Sequence, residues 1–139
     1  MPVPIRFDSQ AEDLTKRFQV YKTVDASPAL AAETVIATLN LTGFADTAVI
    51  SGIIVEGWAA YTVGTSGTAV TLRIRQTNVS GTVVATTGAL SKTALSLYAD
   101  DIGGFDAGAG VAAYALTMQV TSGAAASTVS ALLLKATII

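Results

Sequence analysis

The chain has 139 residues, 51% of them apolar and 13% charged, with a net charge of −2 and neither Cys nor His. That length suits one domain with a packed core, and the apolar share excludes an intrinsically disordered segment. Without Cys there is no disulfide, thiolate metal site or thiol nucleophile, and without His the commonest general base and metal ligand are missing.

The composition changes near residue 33. Pro2, Pro4 and Pro28 lie before it, all twelve glycines follow it from Gly43 onward, and nine of the eighteen charges fall in residues 1–33. The division predicts an N-terminal arm over 1–33 and a β-sandwich body over 34–139. In the arm, Pro2-Val3-Pro4 favours extended backbone. Beyond it two readings stand. Asp8 or Ser9 could cap a short helix with Leu14, Phe18 and Tyr21 on one face. Alternatively, Phe18, Val20 and Lys22 could alternate with Gln19, Tyr21 and Thr23 in a strand.

The body reads as strand after strand. Residues 34–42 alternate Val35, Ala37, Leu39 and Leu41 with Thr34, Thr38, Asn40 and Thr42. Residues 47–63 form a long β-prone stretch with expected kinks or bulges at Gly52 and Gly57. Over 68–76, Val70, Leu72 and Ile74 point inward and Thr71, Arg73 and Arg75 outward. GTVVATT (81–87) is a further strand after a turn-like segment at 78–81. ALSKTALSLYAD (89–100) could form one or two helical turns, and DDIGGFDAGAG (100–110) reads as a loop. Residues 111–121 and 128–138 alternate again, the last apolar on both faces, as in a strand covered on both sides. Short β runs at this spacing predict an all-β, antiparallel sandwich or jelly-roll-like domain.

Little here carries chemistry. No G-x-S-x-G elbow, Walker loop or G-x-G-x-x-G is present. Asp100, Asp101 and Asp106 offer oxygen ligands to a Ca²⁺ ion, without EF-hand spacing, and the alternative is a solvated turn. Glu56 with one of these aspartates is the formal carboxylate pair for glycoside hydrolysis, beside Trp58 and Tyr61. The expectation is no enzyme and no cofactor. With no basic stripe, no nucleic-acid partner is expected. No apolar run approaches the ~20 residues of a membrane helix, and the first fourteen residues lack the apolar stretch of a signal peptide.

The low charge and the Thr-rich polar surface suit broad contact with other protein, because burying Thr costs less than burying Lys or Glu. Arg73 and Arg75 share one strand face, where they could pair with acids of a neighbouring subunit or be solvated. Arg6, Phe7, Phe18 and Tyr21 are the arm's candidate contact residues.

A charged arm, a Gly/Thr/Ala-rich body with EGWAAYTVGTSGTAVTLRIRQTNVSGTVV (56–84), and an apolar C-terminal strand ALLLKATII (131–139) together resemble the small structural proteins of tailed phages. The nearest type is the head decoration, or cement, protein. The resemblance is one of style and composition and transfers no functional residue. It implies a virion protein on the outer capsid surface, a homo-oligomer with the trimer favoured, that clamps neighbouring copies of the major capsid protein. The alternatives are another virion part (fibre, tail or minor capsid subunit) and a carbohydrate-binding or adhesion β-sandwich.

Overall fold

The strictest alternation in the sequence lies at the centre of the structure. In this computed structural model, which describes residues 16–22 (backbone), 32–41, 52–65, 67–93, 95–107, 111–121 and 127–139, Val70, Leu72 and Ile74 are wholly buried. They belong to β4 (Ala69–Gln76), which pairs with β8 (Ala113–Thr121) so that Val70 faces Val120, Leu72 faces Met118 and Ile74 faces Leu116. Successive strand side chains point to opposite faces, so these six residues form one inward surface. Fully burying each contributes roughly 1.5–3 kcal/mol.

Among the described residues there are seven more strands: β1 (Lys16–Lys22), β2 (Thr34–Asn40), β3 (Ile53–Thr62), β5 (Val83–Thr86), β6 (Leu90–Ser91), β7 (Leu97–Asp106) and β9 (Thr128–Ile138). The first sheet has the order β1-β9-β3-β7, and the second β2-β8-β4-β5, with β6 also on β4. Every pairing is antiparallel. If β5 and β6 are counted as one interrupted strand, the two sheets have the orders 1-8-3-6 and 2-7-4-5. That is the jelly roll, two Greek keys folded into a sandwich. The first sheet contributes Ile53, Val55, Ala59 and Tyr61 from β3 and Leu132, Leu134, Ala136 and Ile138 from β9 to the shared core.

The sandwich form of the sequence reading holds, and its details shift where strands bulge. Val35 was expected inward but is 38% exposed. The β2–β8 register slips between Val35 and Ala37, so Ile36 packs on the core in its place. On β9, Val129 and Leu132 are both buried although three residues apart. The β3–β9 register slips between Ala60 and Tyr61, which restores the inward phase. At Gly57 there is no bulge, since β3 runs in unbroken register with β7. A Cβ there would meet Ile102 at 3.0 Å and Leu116 at 3.4 Å, so the glycine makes room for the opposite sheet's core.

Two expectations are corrected. The segment 89–100 forms no helical turn among its described residues; it holds β6 and the start of β7. The expected loop at 100–110 is strand as far as Asp106, and 108–110 lie outside the described residues. Gly104 serves a packing need: a Cβ there would come within 2.8 Å of the Val84 carbonyl oxygen on the facing β5. Of the N-terminal segment, the strand reading holds at Lys16–Lys22, which pairs with β9 from Lys16↔Ile138 to Lys22↔Leu132. The candidate contacts Arg6 and Phe7 lie outside the described residues.

Candidate interaction surfaces

The outward face of the second sheet is organised by one carboxylate. Glu33, just before β2, reaches Arg73 Nη1 at 2.8 Å and Arg75 Nη2 at 2.9 Å, and Arg75 Nε donates to its other oxygen. Thr117 Oγ1 donates to that same oxygen at 2.7 Å, and Arg75 Nη1 donates to the Gly81 carbonyl at 2.8 Å. The two arginines thus have a bidentate acidic partner within their own chain. Arg75's hydrogen bonds, with help from Thr117 and the charge of Arg73, hold the Glu33 carboxyl below its ordinary value against the opposing effect of burial.

Glu33→Ala would strand two adjacent guanidiniums that are only 18–25% exposed. The expected loss is about 2 kcal/mol, below that of a fully buried pair because the cluster is partly wet. A folded-state pKa below the unfolded one gives stability that is full above the ordinary value of 4.5 and drains as the pH falls through the lowered one. The gap between wild type and variant in denaturant melts should therefore be widest near neutrality and close toward pH 3. A gap independent of pH would mean that Glu33 acts through packing alone.

On β7 the three candidate calcium ligands are separated. Asp101 is exposed on the outer face, whereas Asp100 and Asp106 sit on the inner face. These two are six residues apart, roughly 20 Å along a strand. Both serve internal hydrogen bonds. Asp100 accepts from the Tyr61 hydroxyl and pairs with Lys92 at 2.9 Å. Asp106 accepts from Tyr114 at 2.7 Å and Gln76 at 2.8 Å. Among the described residues no three acidic side chains gather around one point. Of the aspartates considered with Glu56 as a hydrolytic pair, only Asp101 shares its outward face.

That outer face of the first sheet carries a groove among the described residues. Glu56, Trp58, Asp101, Leu133 and Lys135 line this groove of about 420 Å³ across β7, β3 and β9. Register explains the grouping, since Trp58 lies opposite both Asp101 and Leu133 while Glu56 lies opposite Lys135. The Glu56–Lys135 pair, at 3.3 Å and with both groups substantially exposed, adds little stability. On the same face, four residues to one side of the Trp58–Asp101 pair, stand Ile54 and Phe105, 38% and 57% exposed, and four residues to the other side stands Leu97, 70% exposed. Phe18 and Tyr21, the other candidate contacts from the sequence, lie on β1 at the far edge of this sheet, in register with Ala136 and Leu133. The sequence reading missed Glu33 and the β7 row. A lone Glu among many polar residues gives no sign of its partners, and DDIGGFD does not look like a strand.

No family model and no curated protein sequence matches the chain. Solved structures do share its fold. A chain in the structure of infectious bursal disease virus, Gx strain, is 15% identical with a TM-score of 0.61. Another, in the T13 particle of that virus, is 11% identical with a TM-score of 0.62. A third, in the subviral particle of its VP2 protein, is 14% identical with a TM-score of 0.59. Each match covers 89–91% of this chain and 31–33% of the viral one, so this chain spans about a third of their length. Identity this low shows a shared fold alone.

Proposed function

We propose that this chain is a non-enzymatic structural protein of a virus particle, and that it sits on the outer surface of a phage capsid as a homo-oligomer, the trimer favoured, and clamps copies of the major capsid protein. The observation that carries the reading is the outer face of the first sheet, where Ile54 and Phe105 on one side of Trp58 and Leu97 on the other stand exposed. An apolar surface of this kind on a small domain marks contact with another protein. The virus-particle folds that the chain shares support the setting. Of the acids weighed for catalysis, Asp100 and Asp106 accept from buried tyrosines, and Asp101 stands with Glu56 on the outer face.

The test is whether the chain travels with particles. Virions banded in a density gradient from the source should contain its peptides at a fixed ratio to the capsid protein, and surface proteolysis of intact particles should remove them. Its absence from washed particles, with recovery only in the unassembled fraction, would overturn the reading. A second reading, a carbohydrate-binding module, draws on Trp58 flanked by Glu56 and Asp101 in an open groove. It requires retention on immobilised glycans that Trp58→Ala abolishes.

A further inference from the structure

The first sheet has two edges of opposite charge. β1 carries Lys16, Arg17 and Lys22 and no acid; β7 carries Asp100, Asp101 and Asp106 and no base. Among the described residues each pairs on one side only, β1 with β9 and β7 with β3. An edge strand presents a row of unpaired backbone donors and acceptors, and proteins usually blunt it by shortness, proline or lysine. β7 has neither proline nor lysine; its only charges are acids, Asp101 outward and Asp100 and Asp106 inward, and the edge lysines lie on β1. β7 is ten residues long, and its outward row is Leu97, Ala99, Asp101, Gly103 and Phe105.

We infer that β7 pairs with β1 of a second copy of this chain, joining copies head to tail through a continuous sheet. The strand directions permit it. The sheet has four strands, each antiparallel to its neighbour, so its two edges run in opposite directions. A second copy in the same orientation therefore offers β1 antiparallel to β7. The charges select this contact over its rivals. Two β7 strands joined on a two-fold axis would bring Asp101 toward its own copy, and two β1 strands would oppose cations.

The faces fix the parity of the register, and the charge pair chooses within it. Arg17, Gln19 and Tyr21 are in register with Thr137, Lys135 and Leu133, the outward positions of β9. Placing Arg17 opposite Asp101 of the next copy sets Gln19 opposite Ala99 and Tyr21 opposite Leu97. The contact then joins a charge pair to an aromatic–aliphatic pair and covers Leu97, the most exposed large apolar residue among those described. Such a head-to-tail contact closes into a ring where the rotation between copies permits, and the trimer is one such ring.

The chain has no Cys, so cross-linking reads the contact directly. The variant Gln19→Cys/Ala99→Cys places its two thiols on opposite edges of one sheet, three strand spacings apart and four residues off level, since Gln19 aligns through Lys135 and Glu56 with Gly103; the separation is roughly 19 Å. Within a chain that exceeds the ~7 Å limit for a disulfide. Oxidation should give covalent dimers and trimers that reductant dissolves, and a mixture of the two single variants should give dimers alone. Arg17→Asp or Asp101→Arg by itself should weaken association roughly tenfold, and the two together should restore it. A double-cysteine chain that cross-links no more than the single variants, or a charge swap that restores nothing, would overturn the inference. It rests on the reading as an assembly protein, yet its failure is distinct: a chain that bands with particles but does not cross-link keeps that role and loses this contact.

Discussion

Gly81→Ala is expected to be the most damaging single methyl in the protein. Gly81 closes the tight connection between β4 and β5, where its N–H donates to the Asn78 carbonyl at 2.9 Å and Gln76 N–H donates to the Thr82 carbonyl at 2.9 Å. A Cβ on Gly81 would fall on the Gln76 carbonyl oxygen, far inside van der Waals contact, and that oxygen is backbone and has no other rotamer to adopt. The turn must open, which moves the Gly81 carbonyl from Arg75 and disturbs the Glu33 cluster. We expect about 3 kcal/mol of destabilisation, the upper end for overpacking, and for a domain of this size a fall in Tm on the order of 10 °C. Gly88→Ala is the control. Gly88 has a φ of 67° with nothing within 4 Å of its Cβ position, so the cost there is left-handed strain alone, about 1 kcal/mol. Calorimetry on both variants checks the order. Equal melting temperatures would mean that the 76–81 turn rearranges without cost.

The same contrast between backbone geometry and side-chain pattern explains what the sequence revealed. β4 and β8 were legible because strict alternation over eight or nine residues admits one phase, and its inward residues are all buried, although Thr71, Ala115 and Thr117 of the other phase are buried as well. β2 and β9 were legible as strands but not in phase throughout, since a bulge inserts a residue without any compositional mark. Ile36 and Val129 changed faces for that reason. β7 was illegible because Asp and Gly there answer tertiary needs. Asp100 and Asp106 accept from buried tyrosines, and Gly104 admits the β5 backbone. For the surfaces, Arg73 and Arg75 could be seen as a pair, but not Glu33 as their partner, because it lies 40 and 42 residues away.

The described part of the body carries few charges. Of those in the described body, Glu33, Arg73, Arg75, Lys92, Asp100 and Asp106 are engaged within the fold. Asp101 remains on the outer face, beside the apolar row it interrupts. In the proposed head-to-tail contact its position would matter to specificity more than to affinity, since a charge at a sheet edge excludes wrong partners as well as attracting the right one.

Alkaline pH is expected to unfold the protein steeply, through two tyrosines. Tyr61 and Tyr114 are wholly buried, and each hydroxyl donates to a carboxylate, Asp100 and Asp106 respectively. Burial first, and then the hydrogen bond and the charge of that carboxylate, push both phenols far above their ordinary value of 10. Ionising either would place a second negative charge against the first with little water between them. Up to pH 10 both states keep the proton, and the full stability is present. Above it the unfolded tyrosine ionises while the folded one does not. Stability then falls by about 1.4 kcal/mol per pH unit for each residue, or about 2.7 for the two together. A domain with 5–15 kcal/mol in reserve therefore loses much of it within about two units. Tyr98, lowered by its hydrogen bonds with Thr93, acts in the opposite sense but lies outside the buried pair. Tyr61→Phe/Tyr114→Phe should start about 3 kcal/mol less stable at pH 7, having lost two donors to carboxylates, and then decline with a much shallower slope above pH 10. Urea midpoints measured from pH 7 upward give both slopes. Parallel curves for the two proteins would assign the alkaline limit to groups other than these tyrosines, whereas curves that converge as the pH rises would show the two buried phenols setting it.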